Sequence, residues 1–159
     1  MSYSHARINL EKTNYSKLDN YQRILNPIPS EMNEIYYKYC KHHSFPSVMP
    51  IFDILYTNND VIGYYDGDVL VAFSLIALYD EYNAEAIQFA WDYANPKLRL
   101  GFKSLENECA MYKELGYKYL YIGGGDAYKS KIDGIEIMSP VAWMEDRWTI
   151  DGFEKLPGK

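Results

Sequence analysis

The stretch Val69–Leu78, with Ser74 its one polar residue, constrains the chain most. A near-continuous apolar run of this length is far short of a membrane span and predicts a strand covered on both faces. Ahead of it, Val61-Ile62-Gly63-Tyr64-Tyr65 runs into Asp66-Gly67, a strong short-turn signal. Behind it, Asp80-Glu81-Tyr82-Asn83 makes the next turn. Residues 86–93 then form a third strand, with Ile87, Phe89, Trp91 and Tyr93 on one face and Gln88, Ala90 and Asp92 on the other. Three consecutive hairpin-linked strands make an antiparallel meander.

Helical spacing brackets this meander. Met32, Ile35, Tyr36 and Tyr39 predict a helix over about 31–43, with Ser30 as its N-cap and Asn33 at the capping-box position. Phe45-Pro46 and Met49-Pro50 break it. Beyond Asn95-Pro96, the residues Leu105, Cys109, Tyr112 and Leu115 give the stripe of a second helix over about 102–115, ended by Gly116. Tyr119-Leu120-Tyr121-Ile122 is a short strand running into Gly123-Gly124-Gly125. Strand, turn, helix, strand is a βαβ unit, so strands 86–93 and 118–123 should be parallel. The tail over 135–153 offers one or two more strands with Trp143 and Trp148 as core or interface anchors. The fold class expected is α+β: a mostly antiparallel sheet with one parallel pair, flanked by helices.

The first 30 residues are polar and rich in Asn and Tyr, and Pro27 and Pro29 make them a poor helix. They read as an arm over the surface or a loose tail, leaving residues 31–159 as one domain. A chain of 159 residues with 48% hydrophobic residues can build one sizeable core. The formal net charge of −6 argues against a protein that coats nucleic acid by charge alone. Cys40 and Cys109 come without a CxxC motif, and His42-His43, beside a predicted helix end, is read as lacking a partner set of carboxylates or cysteines, so no metal site is expected. With no apolar run near the roughly 20 residues of a membrane helix and no secretory signal pattern at the start, the expectation is a soluble, cytoplasmic protein without membrane contact.

The sharpest chemical feature is the turn Lys97-Leu98-Arg99-Leu100-Gly101-Phe102-Lys103-Ser104. A helix start leaves backbone N–H groups aimed outward and adds positive potential, and Lys97, Arg99 and Lys103 add full charges. Such a place suits phosphate, although short glycine turns of this kind are also common as plain surface connections. Between Lys97 and Lys131 there are seven basic residues against four acidic, while residues 51–96 hold eight acidic residues and no basic one. One end of the molecule can therefore draw an anionic donor and the other a cationic acceptor, though most of these carboxylates sit where hairpin turns favour them. Lys129 and Lys131 are further phosphate candidates, with exposed surface lysines the equal alternative.

The order helix, three-stranded meander, basic glycine turn, helix, strand resembles the layout of the GNAT acyltransferase superfamily. Within it, the segment 66–138 resembles the C-terminal catalytic part of the arginyl-tRNA–protein and leucyl-tRNA–protein transferases. The resemblance lies in the hairpin Asp66-Gly67-Asp68-Val69-Leu70-Val71-Ala72, the aromatic strand Phe89-Ala90-Trp91-Asp92-Tyr93, the turn 98–105, the run Lys113-Glu114-Leu115-Gly116-Tyr117-Lys118-Tyr119-Leu120-Tyr121-Ile122-Gly123, and Tyr128-Lys129-Ser130-Lys131. It covers a little under half of the chain. Residues 31–65 fit it loosely; residues 1–30 and 145–159 do not. The 159 residues carry no counterpart of that family's cysteine-rich module. Gly124 and Gly125 stand where the family has an aromatic pair, and Ile132-Asp133-Gly134 where it has Phe-x-Pro.

The resemblance implies a GNAT-like sheet whose parallel strands splay, leaving backbone groups to hold an acyl carbonyl. It implies transfer of an acyl or aminoacyl group from acyl-coenzyme A or aminoacyl-tRNA to an amine, either a small molecule or a protein N-terminus. On that reading Lys97, Arg99, Leu100, Gly101, Phe102, Lys103, Ser104, Lys129 and Lys131 hold the donor. Asp92 would bind the acceptor or act as base, or equally cap the loop after its strand. Tyr93 or Tyr128 would donate a proton. The other reading is a noncatalytic binding or assembly protein that keeps this fold, which the departures from the family and the Tyr-rich first 30 residues allow; stable self-association as a homo-oligomer without response to a donor would favour it.

Overall fold

A computed structural model of the chain describes residues 5–45, 59–124 and 132–138. Among the described residues, seven strands form one sheet: β1 (His5–Asn9), β2 (Tyr21–Arg23), β3 (Asn59–Asp66), β4 (Val69–Leu78), β5 (Asn83–Trp91), β6 (Tyr119–Gly124) and β7 (Ile135–Met138), in the order β2-β3-β4-β5-β6-β1-β7. Helix α1 (Pro29–His42) precedes β3, and helix α2 (Leu100–Glu114) links β5 to β6. All neighbouring strands are antiparallel except β5 and β6. This is the α+β architecture expected from the sequence.

Strand β4 sits between β3 and β5 and is covered twice, as its composition requires. Phe73 and Leu75 pack with Met32 and Ile35 of α1, whereas Ala72 and Ile76 belong to the core under α2, with Tyr64, Leu100, Tyr112 and Leu120. Two clusters, one on each face, follow from period-2 alternation in a strand with no polar face. Gly67, at φ +64°, completes the tight turn between β3 and β4.

Both helices close in the same way. Gly116, at φ +98°, donates to Lys113 O, and Tyr117 N donates to Tyr112 O at 2.9 Å. At the end of α1 it is Ser44 that takes positive φ, with Ser44 N donating to Lys41 O and Phe45 N to Cys40 O at 3.0 Å. These paired bonds satisfy carbonyls that would otherwise be left over at a helix end. The start of α1 differs from expectation. Ile28 is the N-cap and Pro29 the first helical residue, because proline arrives with helical φ and no N–H to place. Ser30 is therefore inside the helix.

Within residues 5–30, where an arm or tail was expected, the chain joins the sheet: β1 is inserted between β6 and β7, and β2 forms an edge beside β3. Ala6, Ile8 and Leu10 are fully buried in the α2-side core. Ala6 and Ile8, continued by Leu10 in the turn just past β1, suffice for a strand that has partners on both sides. The tryptophans Trp143 and Trp148 lie outside the described residues, and β7 is the one strand of the expected tail within them.

Candidate functional site

The parallel pair is short. β5 and β6 match only at Asn83–Tyr119, Ala84–Leu120 and Glu85–Tyr121, although β5 continues to Trp91 and β6 to Gly124. The cause lies in the next residues. Against β4, Ile76 pairs with Ala86 but Leu75 with Gln88, so Ile87 is an extra residue on β5. Such a bulge bends its strand and raises the local twist, and here it comes where β5 leaves β6. It also resets the alternation. Phe89 and Trp91 join the α2-side core, while Ile87, expected on their face, stands at the bulge. From there on, every second backbone N–H and C=O of β5 points to the side that β6 has left.

A cavity of about 390 Å³ occupies this parting. Its wall takes residues 86–89 from β5 and Ile122 from β6, Tyr39 and His43 from the end of α1, and Gly101, Phe102, Ser104, Leu105 and Glu108 from the first half of α2. The two helices cover opposite faces of the sheet, yet both reach one cavity because the strands have separated. Tyr39 packs against both core clusters, which fits that position.

At the mouth is an aromatic group. The Tyr93 ring stacks on His42 (centroids 3.8 Å apart) and on Trp91 (4.4 Å), and its hydroxyl lies 3.0 Å from His43 Nε2. Tyr93 itself is at φ +60°, and burial holds its phenol above the usual range. The left-handed conformation is uncommon for a side chain of this size.

Deeper in, Glu108 is only 2% exposed and lines the cavity. Its Oε2 accepts hydrogen bonds from Ser74 Oγ at 2.5 Å and from Tyr64 Oη at 2.6 Å. Tyr64 Oη in turn accepts from Asn107 Nδ2 at 3.3 Å and lies 3.0 Å from Ser104 O. Burial pushes the Glu108 carboxyl up to about 7, against the two hydroxyl bonds that favour the ionised form. The same loss of solvation raises the Tyr64 phenol and the Cys109 thiol. A buried carboxyl with a pKa near neutrality, in a cleft, is what proton transfer at ordinary pH requires.

The residues singled out in the sequence fall into several groups. Gly101, Phe102, Ser104 and Tyr93 line the cavity. Gly101 has open space where a Cβ would be, and Ser104 Oγ donates to Gly101 O at 3.3 Å. Lys97 and Arg99 are exposed just before the helix, and Arg99, at φ +52°, is the α2 N-cap without a side-chain cap bond. Lys103 lines a neighbouring hollow together with Leu98, Leu100 and Asp66. Leu100 is buried in the α2-side core. Asp92 lies apart from the cavity lining, and its Oδ1 accepts from Ala94 N at 2.9 Å, the local turn bond of a residue ending a strand. Tyr128, Lys129 and Lys131 lie outside the described residues.

Glu108 and His43 are the site residues that pattern reading passed over. The signal for Glu108 was present: it lies three residues after Leu105 and four before Tyr112, on the apolar stripe of α2. A carboxylate on a buried stripe asks for partners, and Tyr64 and Ser74 supply them from β3 and β4. For a metal, the described residues bring together no group of three or more His, Cys, Asp or Glu side chains. Among them, too, no helix is long and apolar enough to cross a membrane.

No protein-family model matches the chain, and no curated protein matches its sequence. Similar solved structures do exist. L-PGS from Bacillus licheniformis superposes with a TM-score of 0.60 at 13% identity, over 77% of this chain and 46% of its own. The same values hold for the C-terminal domain (DUF2156) of a protein from Agrobacterium fabrum assigned as a lysylphosphatidylglycerol synthetase. A GCN5-related N-acetyltransferase from Kribbella flavida aligns over 97% of this chain and 62% of its own, with a TM-score of 0.50 at 11% identity. The chain thus spans about half the length of the first two. At these identities the likeness is one of fold: the sheet with a splayed parallel pair is GNAT-like.

Proposed function

We propose that the protein is an acyltransferase that moves an acyl or aminoacyl group from a carrier to an amine. The observation that carries this reading is the parting of β5 and β6 after three matched pairs, opening onto a cavity that also receives the first turn of α2. The carrier's phosphates would lie at that helix start, near Lys97, Arg99 and Lys103, where N–H groups and charge favour anions. Its acyl carbonyl would enter the gap, where backbone N–H groups of β5 can hold the developing oxyanion. Positioning supplies much of the rate in such a reaction, because donor and acceptor meet in one enclosure. The solved structures of similar fold support the reading at the level of acyl transfer.

Two donors fit this chemistry. The net charge of −6 favours a small carrier such as acyl-coenzyme A, since a tRNA body asks for an extended basic surface. The sequence resemblance to aminoacyl-tRNA–protein transferases favours a charged tRNA. Both are intracellular donors, and the buried, unpaired Cys40 and Cys109 suit the reducing cytoplasmic setting we propose with them.

Thermal shift with coenzyme A, acetyl-coenzyme A and bulk tRNA tests the reading. The expected result is stabilisation by one of them that disappears in the Arg99→Glu, Lys103→Glu double variant. Equal response of the variant and the parent, or no response to any of the three, contradicts it.

A further inference from the structure

We infer that two copies of this chain pair through the open edge of β2, strand against strand about a two-fold axis, so that one sheet runs across both protomers. This stands apart from the acyl-transfer reading and concerns another part of the molecule: β3 and β4 lie between β2 and the strands that separate.

The backbone of β2 has one side in use and one side open. Tyr65 N donates to Asn20 O at 2.9 Å and Ile24 N to Val61 O at 2.8 Å, and Gln22 sits opposite Gly63 between them. Residues 20, 22 and 24 therefore turn their N–H and C=O groups to β3. By the alternation of an antiparallel strand, those of Tyr21 and Arg23 point the other way. Among the described residues no strand pairs with that side. Two N–H and two C=O groups in a row are a template for another strand.

The open side fits a copy of itself. In antiparallel pairing centred on Gln22, Tyr21 lies opposite the partner's Arg23, and Arg23 opposite the partner's Tyr21, so each pair exchanges two backbone bonds. Both side chains are on the α2 side of the sheet. Tyr21 packs against the core there. Arg23 is held by Asp60, whose Oδ2 accepts from Arg23 Nη2 at 2.6 Å and from Tyr112 Oη at 2.7 Å. A guanidinium anchored in this way would lie beside the partner's Tyr21 ring, twice by symmetry.

The surroundings favour the same occupant. A hollow of about 410 Å³ runs beside the edge, walled by Lys17, Tyr21, Arg23, Met111, Glu114 and Leu115. Leu115 is 49% exposed, and Leu25 and Ile28, which follow β2 in the chain, are 89% and 54% exposed. The charges close on themselves. Lys17 pairs with Glu114 at 2.8 Å and Arg23 with Asp60, which leaves the patch neutral on a chain of net charge −6. Copies of an acidic chain repel one another, and a neutral edge flanked by apolar side chains is where that repulsion is weakest. A strongly acidic or basic segment of another protein would find each charge of the patch already matched, which favours a second copy over a charged peptide. Three-residue strands make a small contact, so the pairing is reversible and depends on concentration.

Sedimentation velocity from micromolar to near-millimolar protein, with residue-resolved amide exchange at both ends of that range, tests the inference. The expected result is a monomer that passes to a dimer. The Tyr21 and Arg23 amides should slow with the paired fraction, about tenfold when about nine chains in ten are paired. The Gln22 and Ile24 amides, turned to β3, should be protected at both ends of the range. Arg23→Pro removes an outward N–H and none that faces β3, and is expected to stay monomeric. Leu115→Glu keeps the backbone and sets like charges beside the shared edge. It should weaken pairing about tenfold or more, and it covers the case of a poorly folded proline variant. A monomer throughout the range, a dimer in which the Tyr21 and Arg23 amides exchange as in the monomer, or a dimer that Leu115→Glu leaves equally strong overturns the inference.

Discussion

Ser74 Oγ donates to Glu108 Oε2 at 2.5 Å, joining the one polar residue of β4 to the one acidic residue buried on α2. Each explains the other. A hydroxyl in the middle of a strand covered on both faces needs an acceptor, and a carboxyl on the buried face of a helix needs donors. With Tyr64 added, the core under α2 contains a small polar island that borders the cavity.

Stability should therefore depend on pH through Glu108. Its pKa is raised from 4.5 to about 7 on folding, so the folded state binds a proton that the unfolded chain has already lost. The contribution is complete below pH 4.5 and is lost as pH rises through 7, amounting to about 3 kcal/mol at ~1.4 kcal/mol per unit. Urea titrations at pH 5 and pH 8 should show the wild type losing stability relative to Glu108→Gln by about that amount. Parallel behaviour of the two proteins would contradict the burial of an ionisable group there.

Tyr64→Phe removes one donor to Glu108 and the acceptor of Asn107 Nδ2. Leaving these buried groups short of a partner should cost about 1–3 kcal/mol. Because the lost bond favoured the ionised carboxyl, the Glu108 pKa should rise further. The midpoint of the acidic, ascending limb of a pH–rate profile for acyl transfer should move upward, which a purely structural role for Tyr64 would not produce.

Charge reversal at Arg99 and Lys103 should weaken donor binding at least tenfold. Both side chains are exposed, so the fold should be affected by no more than about 0.5 kcal/mol. Donor titrations at two salt concentrations check this. The wild-type affinity should fall with salt, and the variant's should depend on it less.

Gly134→Ala should destabilise the far edge of the sheet. Gly134 is at φ +75°, and an added Cβ would sit 2.5 Å from Asn9 O, where Gly134 O also accepts from Asn9 N at 2.8 Å. Positive φ and a backbone clash together should cost about 2–3 kcal/mol, or roughly 5–10 °C in Tm. An unchanged melting temperature would mean that β1 and β7 are not held together in this way.

The parts of the fold legible in sequence were those with long, consistent periodicity. The meander 59–91, the helix ended by Gly116 and the parallel crossover to β6 all declare themselves through runs of six or more patterned residues. β1 does not, because Ala6 and Ile8, with Leu10 just beyond, are short-spaced positions in a polar stretch, and only the partners on either side make residues 5–9 a strand. The bulge at Ile87 is invisible for a different reason. The apolar positions of residues 87–93 alternate without a break, and the register against β4 is a tertiary fact. At the site, the glycine turn announces the start of α2, but Glu108 enters only as one of four acidic residues in the charge balance of 97–131, whereas its place on the apolar stripe marks it as buried. The Tyr93–His43 contact joins residues 50 apart, from the end of α1 to the residues after β5, which no local motif signals.

A crystal structure with acetyl-coenzyme A bound tests the central claim most directly. The account predicts the thioester carbonyl in the gap between residues 86–89 of β5 and Ile122 of β6, and the pyrophosphate at the first turn of α2 beside Arg99 and Lys103. A thioester bound elsewhere, or a β5–β6 pairing that continues past Glu85 and Tyr121 and closes the gap, would contradict it.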